Sequence, residues 1–139
     1  MSAVDRVKYL EMIQAVVSRM AGNSFVLRGW AVTLVAGLLA VSAKETQVRF
    51  AVIALLPALA FWSLDAFYLR HERLFRALYD HVRKAPEHEL QRDPYSLSTR
   101  SLRKNESGWF ATLWRPAVVG LHGALVIAVA AVIVALRCW

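Results

Sequence analysis

The chain has 139 residues, 58% of them hydrophobic and only 19% charged, with a formal net charge of +7 and a mean hydropathy of +0.41. Soluble domains run nearer ~45–50% apolar with about a quarter charged, so this composition excludes an ordinary soluble globule and, with its apolar residues gathered in blocks, a disordered chain. One cysteine, Cys138, excludes a disulfide framework and a cysteine-based zinc site.

Length allows one domain, and the expected fold class is an all-α integral membrane protein. From Val4 to Met20 the apolar residues Leu10, Ile13, Val17 and Met20 recur at helical spacing. The segment 1–23 therefore reads as an amphipathic helix, either lying on the membrane surface or forming a seam or plug at an oligomer's mouth. Gly22, Asn23 and Ser24 then predict a stop and a fresh N-cap. Three apolar blocks follow: Ser24 to Ala43, Val48 to Leu69, and Val118 to Leu136. Each is about 20 residues, matching the ~30 Å hydrocarbon core, and lipid requires each to be a helix. A polar amphipathic segment before the first span and a second span after it argue against a cleaved signal peptide.

The second span keeps helical spacing beyond Leu69, through Leu74, Phe75, Leu78 and Val82, so one helix is expected from Val48 to Lys84. Pro57 predicts a kink within it. The segment 85–117 is polar and basic, with Pro86, Pro94 and many Ser/Thr residues, and reads as a loop. The last segment, 118–139, carries the third span. Basic residues crowd the N-terminal segment and the long connection, whereas the first inter-span turn offers Lys44 and Arg49 and the tail offers Arg137. The positive-inside rule then predicts a cytoplasmic N-terminus, a cytoplasmic 70–116 connection and an external C-terminus. Trp30, Trp109, Trp114 and Trp139 fall near the predicted interfaces, where indoles concentrate.

Three features are candidates for function. Arg28, Asp65 and His122 each lie about four residues inside the same end of a span, so they are expected at one depth. An unpaired charge there is costly, on the order of 3 kcal/mol, so pairing is expected. The layer reads as a packing salt bridge, as the lining or gate of a pore, or as a proton relay through Asp65 and His122. Second, Gly29, Thr33 and Gly37 form a row of small residues on the first span, and Gly120, Ala124 and Ala128 form another on the third. Such rows let backbones approach closely in lipid, and a homo-oligomer follows as an expectation. Third, Arg70, Arg73, Arg76, Arg83, Lys84, Arg100, Arg103 and Lys104 make a basic region with Tyr79 and Tyr95 among them. It reads as a belt for anionic lipid headgroups or as a site for a nucleotide or nucleic acid. Interleaved Glu72, Asp80, Glu87, Glu89 and Asp93 weigh against nucleic acid.

Nucleotide-loop, nucleophile-elbow and zinc-protease motifs do not occur in the sequence. His71 beside Glu72, and His88 between Glu87 and Glu89, read as solvated pairs. The expectation is a protein without enzymatic activity, metal or cofactor.

The run from Tyr9 to Ala40, together with Phe61 to Arg83, resembles the small SLATT-like transmembrane effectors of bacterial anti-phage defence. The motifs are the Asn23–Ser24 cap, the Arg28–Gly29–Trp30 triplet and the run from Leu64–Asp65 to Arg73. That resemblance covers the first two spans and the polar extension of the second. It implies a bacterial inner-membrane effector that oligomerises and permeabilises the membrane, with a partner that makes or senses a nucleotide or nucleic-acid signal. The Hailong-type channel effector, held closed by a DNA oligomer, is a nearby comparison. Two functional readings result: a homo-oligomeric channel or pore gated at its cytoplasmic face, and a non-conducting membrane anchor that recruits a partner. A transporter ranks third, because three short spans show no inverted repeat with broken helices.

Overall fold

The computed structural model describes residues 5–138, so Val4 and Trp139 lie outside the described residues. Most of those residues are helical, with no strand among them. Three of the helices are long and apolar enough to cross a membrane.

Helix α1 spans Arg6–Glu45. Asp5 caps it, its side chain accepting from the Lys8 amide at 3.2 Å. The stop and fresh cap expected at Gly22, Asn23 and Ser24 are not there: one helix of about 60 Å runs through them. The physical reason is a buried stripe, Tyr9, Ile13, Val17, Ser24, Ala31, Val35 and Ser42, which advances by fours and sevens along the whole helix. A heptad-like step keeps one face turned to one partner. Breaking the helix at Gly22 would put the two halves out of phase, which outweighs the ~1 kcal/mol that a helical glycine costs. The segment expected as a separate amphipathic helix is thus the first half of α1, and Ile13 and Val17 of its stripe are buried against protein.

The partner is α3, Leu55–Lys84, reached through the short helix α2, Val48–Ile53. Thr46 ends α1 in the left-handed conformation (φ 53°), and the Ser42 hydroxyl donates to the Gln47 carbonyl at 2.8 Å, closing a tight reversal. The break between α2 and α3 falls at Ala54. Pro57 explains that position: it has no N–H, and its ring crowds the carbonyl four residues earlier, at Ile53. The single helix expected from Val48 to Lys84 is therefore interrupted at Ala54, three residues before the proline.

Helices α1 and α3 form a long antiparallel hairpin with two cores. Near the reversal, Val35, Ala54 and Ala58 pack with Val129 of α6, Pro116–Cys138. At the far, polar end, Tyr9, Ile13 and Val17 pack with Leu78, Val82, Ala85 and Leu90. The Arg6 guanidinium donates to the Ala85 carbonyl at 2.8 Å and the Arg83 carbonyl at 3.2 Å, satisfying the last turn of α3 from the first turn of α1. Between α3 and α6 the chain makes α4 (Glu87–Leu90), a 3₁₀ turn (Leu102–Lys104) and α5 (Trp109–Leu113).

Helix α6 lies against α1, α2 and α3 along their apolar halves. The outward faces there are hydrophobic: Phe25 is 79% exposed, Leu56 71% and Ile127 70%. Exposed apolar faces on helices of this length are compatible with a lipid surrounding. The polar half of the hairpin continues beyond the third helix.

Candidate functional site

A buried polar cluster joins the three long helices at one level. Asp65 of α3 is fully buried, and its carboxylate is its centre. Oδ2 accepts from Arg28 Nε of α1 at 2.8 Å and from His122 Nε2 of α6 at 3.2 Å. Oδ1 accepts from the Ser24 hydroxyl, one turn before Arg28. Arg28 is one-third exposed, and its Nη2 also donates to the Ala117 carbonyl at 3.1 Å, tying it to the start of α6. A carboxylate can only accept, so the His122 proton sits on Nε2. His122 is fully buried, and its Nδ1 has no hydrogen-bond partner among the described residues.

The sequence expectation that Arg28, Asp65 and His122 share a layer is met. Ser24 is the member that sequence reasoning assigned elsewhere, as an N-cap. Its signal was available: it precedes Arg28 by four residues, so in a continuous helix both face the same neighbour.

Aromatic side chains hold the cluster from the other side. Trp62, one turn before Asp65, lies nearly parallel to the His122 ring (8°, centroids 6.4 Å apart). Its indole N–H donates to the Leu113 carbonyl at 3.0 Å, and Trp109 Nε1 donates to the Ser63 carbonyl at 3.2 Å. These reciprocal bonds clamp α5 across α3. Trp62 also meets Trp114 edge to face, with centroids 6.0 Å apart.

The small-residue rows lie elsewhere. Gly29, Thr33 and Gly37 are exposed, as are Gly120, Ala124 and Ala128. A methyl group added at Gly29, Gly37 or Gly120 would meet nothing within 4 Å. Close packing within the chain uses other small residues, among them Ala31, Ala51, Ala54, Ala58 and Ala66.

The basic residues do not converge on one patch. Arg73 pairs with Glu106 at 3.4 Å, Arg76 with Glu72 at 2.8 Å, and Arg83 with Asp80 at 3.3 Å. Arg70 is half-buried, and its Nε finds no acceptor among the described residues, as is also true of Arg73 Nη1. Lys84, Arg103 and Lys104 are exposed. Glu72 is engaged by Arg76, while His71 Nδ1 lies 2.9 Å from the Phe67 carbonyl, so the expected His71–Glu72 pair does not form. Glu89 pairs with His81 at 3.2 Å rather than with His88.

Arg100 instead lines a cavity of about 440 Å³ at the polar end, with Arg92, Ser98 and Ser101 from the loop and Tyr9 and His81 from the hairpin. The cavity exists because the loop is tied down. The Tyr9 hydroxyl donates to the Ser96 carbonyl, the Asp5 amide donates to the Tyr95 hydroxyl at 3.2 Å, and the two rings meet edge on. Burial, and secondarily the charge of Asp93, raise the Tyr9 pKa above its ordinary value of 10.0. A raised folded-state pKa means stability that is complete below pH about 10 and lost as pH rises through the folded value. Hydrogen exchange of residues 91–101 should thus show alkaline loosening, absent in Tyr9→Phe, which lacks the ionisable hydroxyl. At neutral pH Tyr9→Phe should lose about 1 kcal/mol of local protection.

No family model matches the chain, and neither a curated protein nor a solved structure matches it.

Proposed function

We propose that this chain is a homo-oligomeric channel or pore-forming effector of a bacterial inner membrane, acting in anti-phage defence. The observation that carries the reading is the separation of two surfaces. The polar cluster of Ser24, Arg28, Asp65 and His122 is consumed inside each copy, whereas the small faces of α1 and α6 are turned outward without a partner. Val35, Ala54, Ala58 and Val129 are fully buried where the three long helices meet, so the conducting path is placed between copies rather than within one. Small faces are the means by which helices associate in lipid, where hydrophobicity supplies no drive.

The polar half of the hairpin, on the cytoplasmic side by the distribution of basic residues, receives the signal. The cavity at that end, bordered by Arg92 and Arg100 together with Glu89 and Asp93, is where a nucleotide, a nucleic-acid fragment or a partner protein would bind, its anionic groups meeting the two arginines. Because α1 and α3 run unbroken from that end into the apolar region, a signal that binds two arrangements unequally shifts the population at both ends. The defence role rests on the resemblance of Tyr9–Ala40 and Phe61–Arg83 to the SLATT-like effectors.

A second reading, a non-conducting anchor that recruits a partner, is favoured by one observation: the buried charges are mutually satisfied, as in a fastener. Ion efflux from liposomes holding the purified protein, alone and with its genetic partner, separates the two. Efflux supports the channel. A silent protein that still captures its partner, and loses it on reversal of Arg73 and Arg76 to Glu, supports the anchor.

A further inference from the structure

We propose that the groove between α3 and α5 is a binding site for an acyl chain of a bilayer lipid. The groove has a volume of about 240 Å³ and is lined by Leu59, Trp62, Ser63, Leu113 and Trp114. Two of its donors are already engaged within the protein: the Ser63 hydroxyl donates to the Leu59 carbonyl at 3.0 Å and the Trp62 N–H to the Leu113 carbonyl, while the Ser63 carbonyl accepts from Trp109. The rest of the lining is leucine side chain and indole ring, which offers water or a polar ligand little to bind. Hydrocarbon needs none and fills the space by dispersion contacts alone.

The occupant follows from continuity with the membrane-facing surface. Leu56 (71% exposed) and Leu59 (50%) lead along α3 into the groove, and Phe110 (74%) and Trp114 (72%) project from α5 and its end. All lie beside the apolar stretch of a helix long enough to cross a bilayer. A lipid tail is the hydrocarbon present at that surface. Indoles and aromatic rings at such a rim sit where the acyl region meets the headgroups.

The site is connected to the polar cluster. Trp62 lines the groove and also lies parallel to the His122 ring, whose Nε2 binds Asp65. A chain packed against the indole holds it on the imidazole, so lipid occupancy bears on the bond that fastens α6 to α3. This inference stands whether or not the protein conducts.

The test uses the full chain with Trp30→Phe and Trp139→Phe, which leaves Trp62, Trp109 and Trp114 in place about the groove, in vesicles of phosphatidylcholine with or without bromine on the acyl chains. Bromine in contact with an indole quenches its fluorescence, so strong quenching is expected. Ser63→Phe and Leu59→Phe each fill the groove from a different turn of α3, and each should lower the quenching by the share that arises in the groove. Absence of quenching in the parent overturns the site. Quenching that persists undiminished in both filled variants also overturns it, since bromine would then reach the indoles from the general lipid annulus alone.

Discussion

Asp65→Ala is expected to destabilise the chain by about 3 kcal/mol, read as a fall in its thermal transition in detergent. Removing one partner of a buried ion pair typically costs about 3–5 kcal/mol, because the remaining charge is left without compensation. Here the substitution strands the fully buried His122 Nε2–H, the Ser24 hydroxyl and the Arg28 guanidinium together. Arg28 is one-third exposed and keeps the Ala117 carbonyl, which places the loss at the lower end of that range. The same argument makes a second expectation. Replacing all four members by apolar residues (Ser24→Ala, Arg28→Leu, Asp65→Leu and His122→Leu) should recover most of the lost stability, since no polar side chain of the cluster is then left without its partner. An Asp65→Ala chain as stable as the parent would show that the carboxylate does not hold the helices together.

Gly37→Leu has the opposite signature: large on assembly and flux, small on the stability of the single chain. A side chain at Gly37 meets nothing within 4 Å, and an exposed substitution that leaves packing intact usually changes stability by no more than about 0.5 kcal/mol. Glycine in a helix also costs about 1 kcal/mol relative to better helix formers, so the substitution favours α1 locally. Between two copies, however, a leucine would hold the backbones apart where small residues let them touch. The expected result is a smaller mass in detergent and loss of ion efflux at an unchanged thermal transition. A fall in the transition with mass unchanged would mean that Gly37 packs within the chain.

The contrast between these two variants shows what could be read from the sequence. The three long apolar helices were legible because apolar runs of bilayer length favour helix over any other structure. The shared layer of Arg28, Asp65 and His122 was legible because antiparallel helices place residues at equal distance from the same end at equal depth. The continuity of α1 was not, because its buried stripe passes through Ser24 and Ser42, which do not register as hydrophobic. Tertiary packing against α3 overrode the local stop signal of Gly22 and Asn23. The same oversight hid Ser24 as a donor to Asp65. Trp62 was missed for a different reason: an aromatic residue three before an aspartate in an apolar run reads as ordinary lipid-facing bulk, and its place beside His122 depends on where α5 and α6 return. The ion pairs of Arg73 and Arg76 depend on Glu106 and Glu72, so a count of positive charges overstated how many remain free for a ligand.

Assembly through the outer small faces is the central claim, and disulfide trapping in intact membranes tests it most directly. In a Cys138→Ser background, a chain carrying both Gly37→Cys and Ala124→Cys presents one thiol on the outer face of α1 and one on the outer face of α6. Oxidation should give a ladder extending past the dimer, because each copy offers two joining faces. Val35→Cys, buried between the helices of one copy, should give none. A chain that stays monomeric under the same oxidation, or that cross-links equally well through position 35, would contradict an assembly built on these faces.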